Sequence, residues 1–419
     1  MAGGADVDLL ERARALDASD PLRAYRDRFA IPDPDLVYLD GNSLGRPPAA
    51  GLEAIRRVAE RWSEALIRGW TAERWLEEPL RVGDRLARGV LGAREDEVAI
   101  ADSTTVNLYR LASAALDARR DRRIVAVERS EFPTDRYVAE GLERERDLEI
   151  RWLDGDPVDG LATAQIVDAL RDDTALLILS AVNYRSAAIV DIGAVTAAAR
   201  AAGALVLWDL SHAGGSIPVD LEANGVDLAV GCTYKYLNGG PGAPAWLYVR
   251  RELQAELHPP IQGWFAQRDQ FEMGPRFERR PGIGGWLVGT PGIIALAAVE
   301  AGISLTAEAG IEAIRAKGIA LGSFAIELLD ARLAPLGCTL GSPRDPARRG
   351  AHLSICHTDA RRLTAELIAR KVIPDFRAPD SIRIGLSPLS TSFADVHRGL
   401  ETLRELLVAS RPEAGAQAR

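Results

Sequence analysis

Two residues, Asp209 and Lys235, carry the spacing and surroundings that best suit chemistry in this sequence. Asp209 follows an apolar run, LVLW, and Lys235 comes shortly after a second one, LAV. Short β-branched runs that are apolar on both faces suit strands of a buried parallel sheet. Ligands bind such sheets at the carboxyl ends of the strands, so both side chains project to one rim. An amine beside a carboxylate there points to pyridoxal 5'-phosphate. The amine condenses with the aldehyde, and the carboxylate keeps the ring nitrogen protonated so that the ring accepts electrons. The flanking TYK (233–235) and GGPG (239–242) fit the same reading. Lys235 is also one of only three lysines, with Lys317 and Lys371, against 48 arginines. A lysine is kept where a deprotonated primary amine is needed, because a guanidinium does not lose its proton. Lys317 and Lys371 fall in helical patterns among charged residues and read as solvated helix faces. The alternative for the pair itself is a capping aspartate and a surface lysine.

The elements that must position this pair follow from periodicity. Apolar runs at 124–127, 175–179, 205–208 and 228–230 read as parallel strands, and 245–249 as one more strand of that sheet. An alanine-rich helix at 192–202, ended by Gly203, joins two of them in a right-handed βαβ unit. Helices are also expected at 8–16 and 49–67, with a short apolar piece at 37–39 among prolines. From about 291 the pattern changes to long helices (291–308, 311–333, 360–370, 394–409) and short strands (353–356, 382–385). The expected fold class is α/β. A large domain, 49–300, carries a mainly parallel sheet with helices on both faces. A smaller α+β domain covers 301–419, and 1–48 joins it at the active-site entrance. The last residues, 412–419, are expected to fray.

Composition narrows the function classes. The 419 residues are 47% hydrophobic and 26% charged, as in soluble globular chains of about two domains. A net charge of -9 speaks against a generic nucleic-acid binder. Three cysteines without framework spacing imply a reducing compartment, and the five scattered histidines give no zinc pattern. The N-terminus lacks the apolar core of a signal peptide, and glycines and prolines interrupt the longest uncharged run, 281–299. No membrane span, no metal and a cytoplasmic location are expected. GNSLG fits the GxSxG of serine hydrolases, but Pro47 and Pro48 follow where a helix must start. Cys338 and Cys356 read as buried structural cysteines rather than nucleophiles.

The segments YLDGNSLG, STTVNLYRL, EFPTDRY, WDLSHAGG, GCTYKYLNGGPG, PPIQGWF and RIGLSPLSTSF occur in this order through most of the chain. On them the sequence resembles the kynureninase family, of bacterial type, within the fold-type I pyridoxal-phosphate enzymes. The Asp-x-x-His and TYK pieces are shared with cysteine desulfurases, whereas YLDGNSLG, FPTD and the GCTYKYLNGGPG–PPIQGWF tandem are more specific.

The resemblance implies hydrolysis of L-kynurenine to anthranilate and L-alanine. Lys235 would carry the cofactor and act as acid and base at the substrate Cα. Asp209 would bind the ring nitrogen, with His212 beside the cofactor. Thr104 and Thr105 would hold the phosphate, in keeping with anion binding at a helix N-terminus. Phe132 would stack on the ring, Asp135 would close the same turn, and Ser186 would place a hydroxyl nearby. Tyr234, Trp264 and Thr290 would donate to the phosphate, and Tyr234 is the candidate proton donor at the γ-carbonyl. In the family Trp264 and Thr290 come from a neighbouring subunit, which implies a homodimer with shared active sites. Arg383, a lone charge between Ile382 and Ile384, would grip the α-carboxylate, with Ser43 at the entrance. Trp70 and Gly289 would shape the aryl pocket and favour kynurenine over its 3-hydroxy form; Trp70 also reads as a core or interface tryptophan. A desulfurase-like lyase and a non-catalytic cofactor-binding regulator are the alternatives.

Overall fold

A computed structural model describes residues 3–410, with side chains from position 9 onward. The segment 412–419, expected to fray, lies outside the described residues.

Seven strands form the main sheet, in the order Val98–Ile100, Trp246–Val249, Leu228–Gly231, Leu205–Asp209, Thr174–Ser180, Ile124–Glu128, Glu149–Leu153. From Leu228–Gly231 to Glu149–Leu153 all neighbours are parallel. Trp246–Val249 runs antiparallel to both of its neighbours, a direction that the apolar run alone did not specify. The central strands are apolar on both faces because both faces are covered. One core gathers Trp208, Trp246, Val206 and Leu177, and the other Leu207, Val125, Leu176 and Trp286. The helix Ile192–Ala201 ends before Gly203, which takes a positive φ of 75°. Val98–Ile100 and Glu149–Leu153, too short or too polar to read from pattern, complete the sheet.

A third core surrounds the antiparallel sheet Asp375–Arg377, Ser381–Gly385, His352–Cys356, Thr339–Leu340. Leu9, Ala13, Val37 and Leu39 pack into it with residues of the helices Ile311–Leu328, Ala360–Ala369 and Phe393–Ala409. The strand Val37–Tyr38 pairs in parallel with Val372–Ile373, so the beginning of the chain is stitched to its far end. Helix Ile311–Leu328 stops short of the expected 333, passing into a wider turn at Leu329–Leu333. Among the described residues no single helix is long and apolar enough to cross a membrane.

Lys317 overturns its expected solvated position. Its side chain is 5% exposed and pairs with Asp20 at 2.6 Å. The helix pattern cannot show this, because the segment that covers Lys317 lies some 300 residues earlier in the chain. Removing one partner of a buried pair strands the other charge. Lys317→Ala is therefore expected to destabilise the fold by about 3–5 kcal/mol, read as a lower urea midpoint at unchanged slope. A loss under about 1 kcal/mol is what a solvated pair gives and would contradict the burial. Lys371, in contrast, is exposed and reaches Asp33 at 3.0 Å.

Candidate active site

The carboxyl ends of the parallel strands share one rim, and the reactive residues sit on it. Asp209 is the last residue of Leu205–Asp209, and Lys235 lies four residues beyond Leu228–Gly231. Phe132 and Asp135 follow Ile124–Glu128, at the start of the helix Pro133–Arg146. Thr104 and Thr105 open the helix Thr104–Asp117, which Ser103 caps by accepting from the Val106 N–H at 3.4 Å.

Together with His212 and Tyr234 these six side chains line one cavity of about 250 Å³. Lys235 Nζ lies 3.4 Å from His212 Nδ1 and 5.8 Å from the centre of the Phe132 ring. Asp209 Oδ1 accepts from the Ser211 N–H at 2.7 Å, which fixes its carboxylate. The main chain around Lys235 is fixed from the N-terminal segment. Gly45 donates to Tyr234 O at 2.8 Å, and a Cβ at Gly45 would lie 2.3 Å from Lys235 O. That close approach is why YLDGNSLG carries a glycine there.

Buried carboxyls line and underlie the cavity. Burial, then the negative charge of Asp209, pushes the Asp135 carboxyl well above the usual range. Burial thus favours the neutral form of Asp135 beside Asp209. Glu131, buried and accepting from the Ser180 N–H, is pushed up to about 8 by burial and by Glu128. Burial and the charge of Lys235 push His212 well below its ordinary value, so its ring is neutral. Burial pushes the Tyr234 phenol up, so it keeps its proton.

The residues fit pyridoxal 5'-phosphate. Thr104 Oγ1 and His212 Nε2 are buried without a protein partner at the edge of this cavity. An unsatisfied hydroxyl at a helix N-terminus suits a phosphate. A lysine, an aromatic face and a carboxylate on the remaining walls suit an aldehyde, a flat ring and a ring nitrogen.

Other expected residues fall elsewhere. Ser186 is not among the lining residues; its hydroxyl accepts from the Ala188 N–H at 3.2 Å and closes a local turn. Gly289 and Thr290 line a second cavity that shares Asp102 and Gly242 with the first. Trp264 is 44% exposed and donates to Gln270 O at 2.9 Å. Trp70 packs edge-on to Trp75 at 5.8 Å and Phe265 at 6.3 Å. Arg383 is buried and donates to Ser43 Oγ at 2.7 Å.

Several site residues escaped the sequence reading: Asp102, Tyr184 and Ser211 in the cavity, and Asp375, Arg377 and Asn42 around Arg383. For Asp375 a signal exists. A hairpin around Pro379 and Asp380 puts it directly opposite Arg383. Cys338 is buried, with its thiol pushed up to about 11. Cys356 is half-buried rather than buried, because it stands at the end of its strand, and its thiol is also raised by burial. Neither lines the cavity.

Residues 314–403 match the family model described as the kynureninase C-terminal domain. The chain is 44% identical over 404 residues to a kynureninase of Burkholderia mallei, covering 95% of each. It is 41% identical over 400 residues to a kynureninase of Pseudomonas fluorescens, covering 94% of each. Among solved structures, a cysteine desulfurase of Thermococcus onnurineus shares the fold with a TM-score of 0.76 at 16% identity, covering 94% of this chain and 98% of that one.

Proposed function

The chain belongs to the kynureninase family and is a pyridoxal-phosphate-dependent hydrolase of carbon–carbon bonds, and on that premise we propose that its substrate is L-kynurenine, cleaved between Cβ and Cγ to anthranilate and L-alanine. The observation that carries this reading is Lys235 Nζ beside neutral His212 in a cavity that also holds Asp209, Phe132 and the unsatisfied Thr104 hydroxyl.

When bound, the cofactor supplies an aldehyde that links to amines and a protonated ring that takes up an electron pair. The residues around it have separable tasks. Asp209 would pair with the protonated ring nitrogen, with Asp135, whose carboxyl burial raises, as its neighbour. Thr104, Thr105 and the first turn of their helix would hold the phosphate, and Phe132 would face the ring. Lys235 Nζ removes the proton from the substrate Cα and returns one later in the reaction. His212, kept neutral by burial, adds no second positive charge next to that amine. Tyr234 keeps its proton and stands next to Lys235, positioned to donate to the oxygen that develops charge when water adds at the γ-carbonyl. Arg383 takes the α-carboxylate, with Ser43 bonded to its fork.

A homodimer completes the site, with Trp264 and Thr290 reaching the phosphate of a second copy. The exposure of Trp264, Phe271 and Met273 on one stretch supports this. The division of labour between 49–300 and 301–419, with 1–48 joining the latter, and a cytoplasmic location belong to the same reading. A desulfurase chemistry is not followed, because no cysteine lines the cavity. Nor is a purely regulatory role, because the cavity holds a full set of acid, base and anion-binding groups.

Purified protein given kynurenine should release anthranilate, seen by its fluorescence; binding of the cofactor without turnover of any amino acid would contradict the reading. The Trp70 indole, packed on Trp75 and Phe265, and Gly289, which has no side chain, offer no acceptor for the proton of a ring hydroxyl, and a site without one gains little from it. We therefore expect a higher kcat/KM for kynurenine than for 3-hydroxykynurenine, by about tenfold. A preference for the hydroxylated substrate would remove Trp70 and Gly289 from the aryl pocket.

A further inference from the structure

The fork of Arg383 is already filled by the protein itself. Nη1 donates to Tyr184 O at 2.6 Å. Nη2 donates to Ser43 Oγ at 2.7 Å and to Asp375 Oδ2 at 2.6 Å. Asn42, with its amide oxygen turned to the guanidinium, accepts from Nε at 2.9 Å. A bidentate carboxylate needs two parallel N–H groups, and this fork does not present a free pair.

Asp375 is the acceptor that resembles a ligand. It stands directly opposite Arg383 across the antiparallel strands Asp375–Arg377 and Ser381–Gly385. The same Oδ2 also accepts from Arg377 at 2.7 Å and from the Ser43 hydroxyl at 3.0 Å, while Oδ1 is buried without a partner. Arg377 is the outer of the two guanidiniums, 31% exposed against 1% for Arg383. It lies 6.0 Å from the centre of the Tyr184 ring, and Tyr184 walls the cavity. One carboxylate is thus shared between a buried arginine and a part-exposed one beside Tyr184.

We propose that Asp375 is a specificity-determining residue: a resident carboxylate that holds the Arg383 fork in the empty site and yields it to the carboxylate of an incoming amino acid, while Arg377 retains Asp375. This rests on the reading of Arg383 as the carboxylate grip. A buried guanidinium without an anion is costly, so the empty site keeps one. Exchanging one carboxylate for another preserves the charge balance around Arg383. A neutral ligand cannot make that exchange and meets a fork that stays occupied. Selection against amines and amides then comes from the resident competitor as well as from the attraction of the fork for an incoming anion.

The test uses the holoenzyme and the absorbance change of its bound cofactor on titration with L-alanine and with L-alaninamide. Asp375→Asn removes the competitor's charge and keeps its size. It is expected to tighten L-alanine binding about tenfold and to leave L-alaninamide within about twofold. Arg377→Gln leaves Asp375 wholly to Arg383 and is expected to weaken L-alanine about tenfold, again sparing the amide. The proposal is overturned if Asp375→Asn leaves L-alanine binding unchanged or weaker, or shifts acid and amide alike. If Asp375→Asn does not fold or load cofactor, the Arg377→Gln result decides, and unchanged or tighter L-alanine binding overturns it. Arg383→Gln separates the two ideas. Loss of L-alanine affinity alone keeps Arg383 as the grip whatever Asp375 does, whereas equal loss for acid and amide removes the grip itself.

Discussion

Lys235→Ala is expected to end covalent attachment of the cofactor and to lower kynurenine turnover by about 10⁴-fold, the upper range for a lost acid–base group. No other amine can take over. Lys317 is locked in a buried pair with Asp20, and Lys371 is on the surface with Asp33. The arginines near the site, Arg383 and Arg377, remain charged and cannot act as nucleophiles. His212 Nδ1, at 3.4 Å from the missing amine, is a ring nitrogen on a fixed wall and cannot follow a proton to the substrate Cα. Borohydride treatment followed by mass analysis reads the attachment: the wild type gains a stable adduct on the peptide with Lys235, and the variant gains none. Anthranilate fluorescence reads the turnover. A variant with wild-type turnover would mean that another group does this chemistry.

Asp209→Asn is expected to lower turnover by about 10²–10³-fold while leaving the borohydride adduct on Lys235 intact, a loss of the size seen when one preorganised electrostatic group is removed. The substitution keeps the shape, and the amide oxygen can still accept the Ser211 N–H that Asp209 accepts at 2.7 Å. What it removes is the negative charge. The neighbouring carboxyl does not replace it, because burial, the largest cause of its raised pKa, still disfavours a charge on Asp135 once position 209 is neutral. With no anion beside it, the ring nitrogen loses its proton and the ring its capacity for electrons. The two variants are thus distinguishable. One loses the attachment and the reaction, the other only the reaction. An Asp209→Asn enzyme of full activity would place the ring nitrogen against some other group.

Much of this site could be read locally. Asp209 and Lys235 stand out because each follows an apolar run that only a buried parallel strand explains, and strand ends converge on one rim. His212 comes with Asp209, three residues on in the same turn. Thr104 and Thr105 sit at a helix start, where backbone N–H groups collect. Ser186 shows the limit of such reading. Its place in the chain is near the cavity, yet its hydroxyl is consumed by its own turn.

The sequence by itself determined which groups can react and on which edge of the sheet they stand, since strand ends, helix starts and a nearly lysine-free composition are written in short stretches of chain. The tertiary structure alone decided their surroundings: the burial of Lys317 under the N-terminal segment, the reversed direction of Trp246–Val249, the raised carboxyl of Asp135, and the carboxylate of Asp375 in the Arg383 fork. Each of these depends on a meeting of side chains or strands that no single element contains. Burial and charge act through space, so their effect on a residue is set by whichever segment folds over it, and helical or strand periodicity carries no record of that.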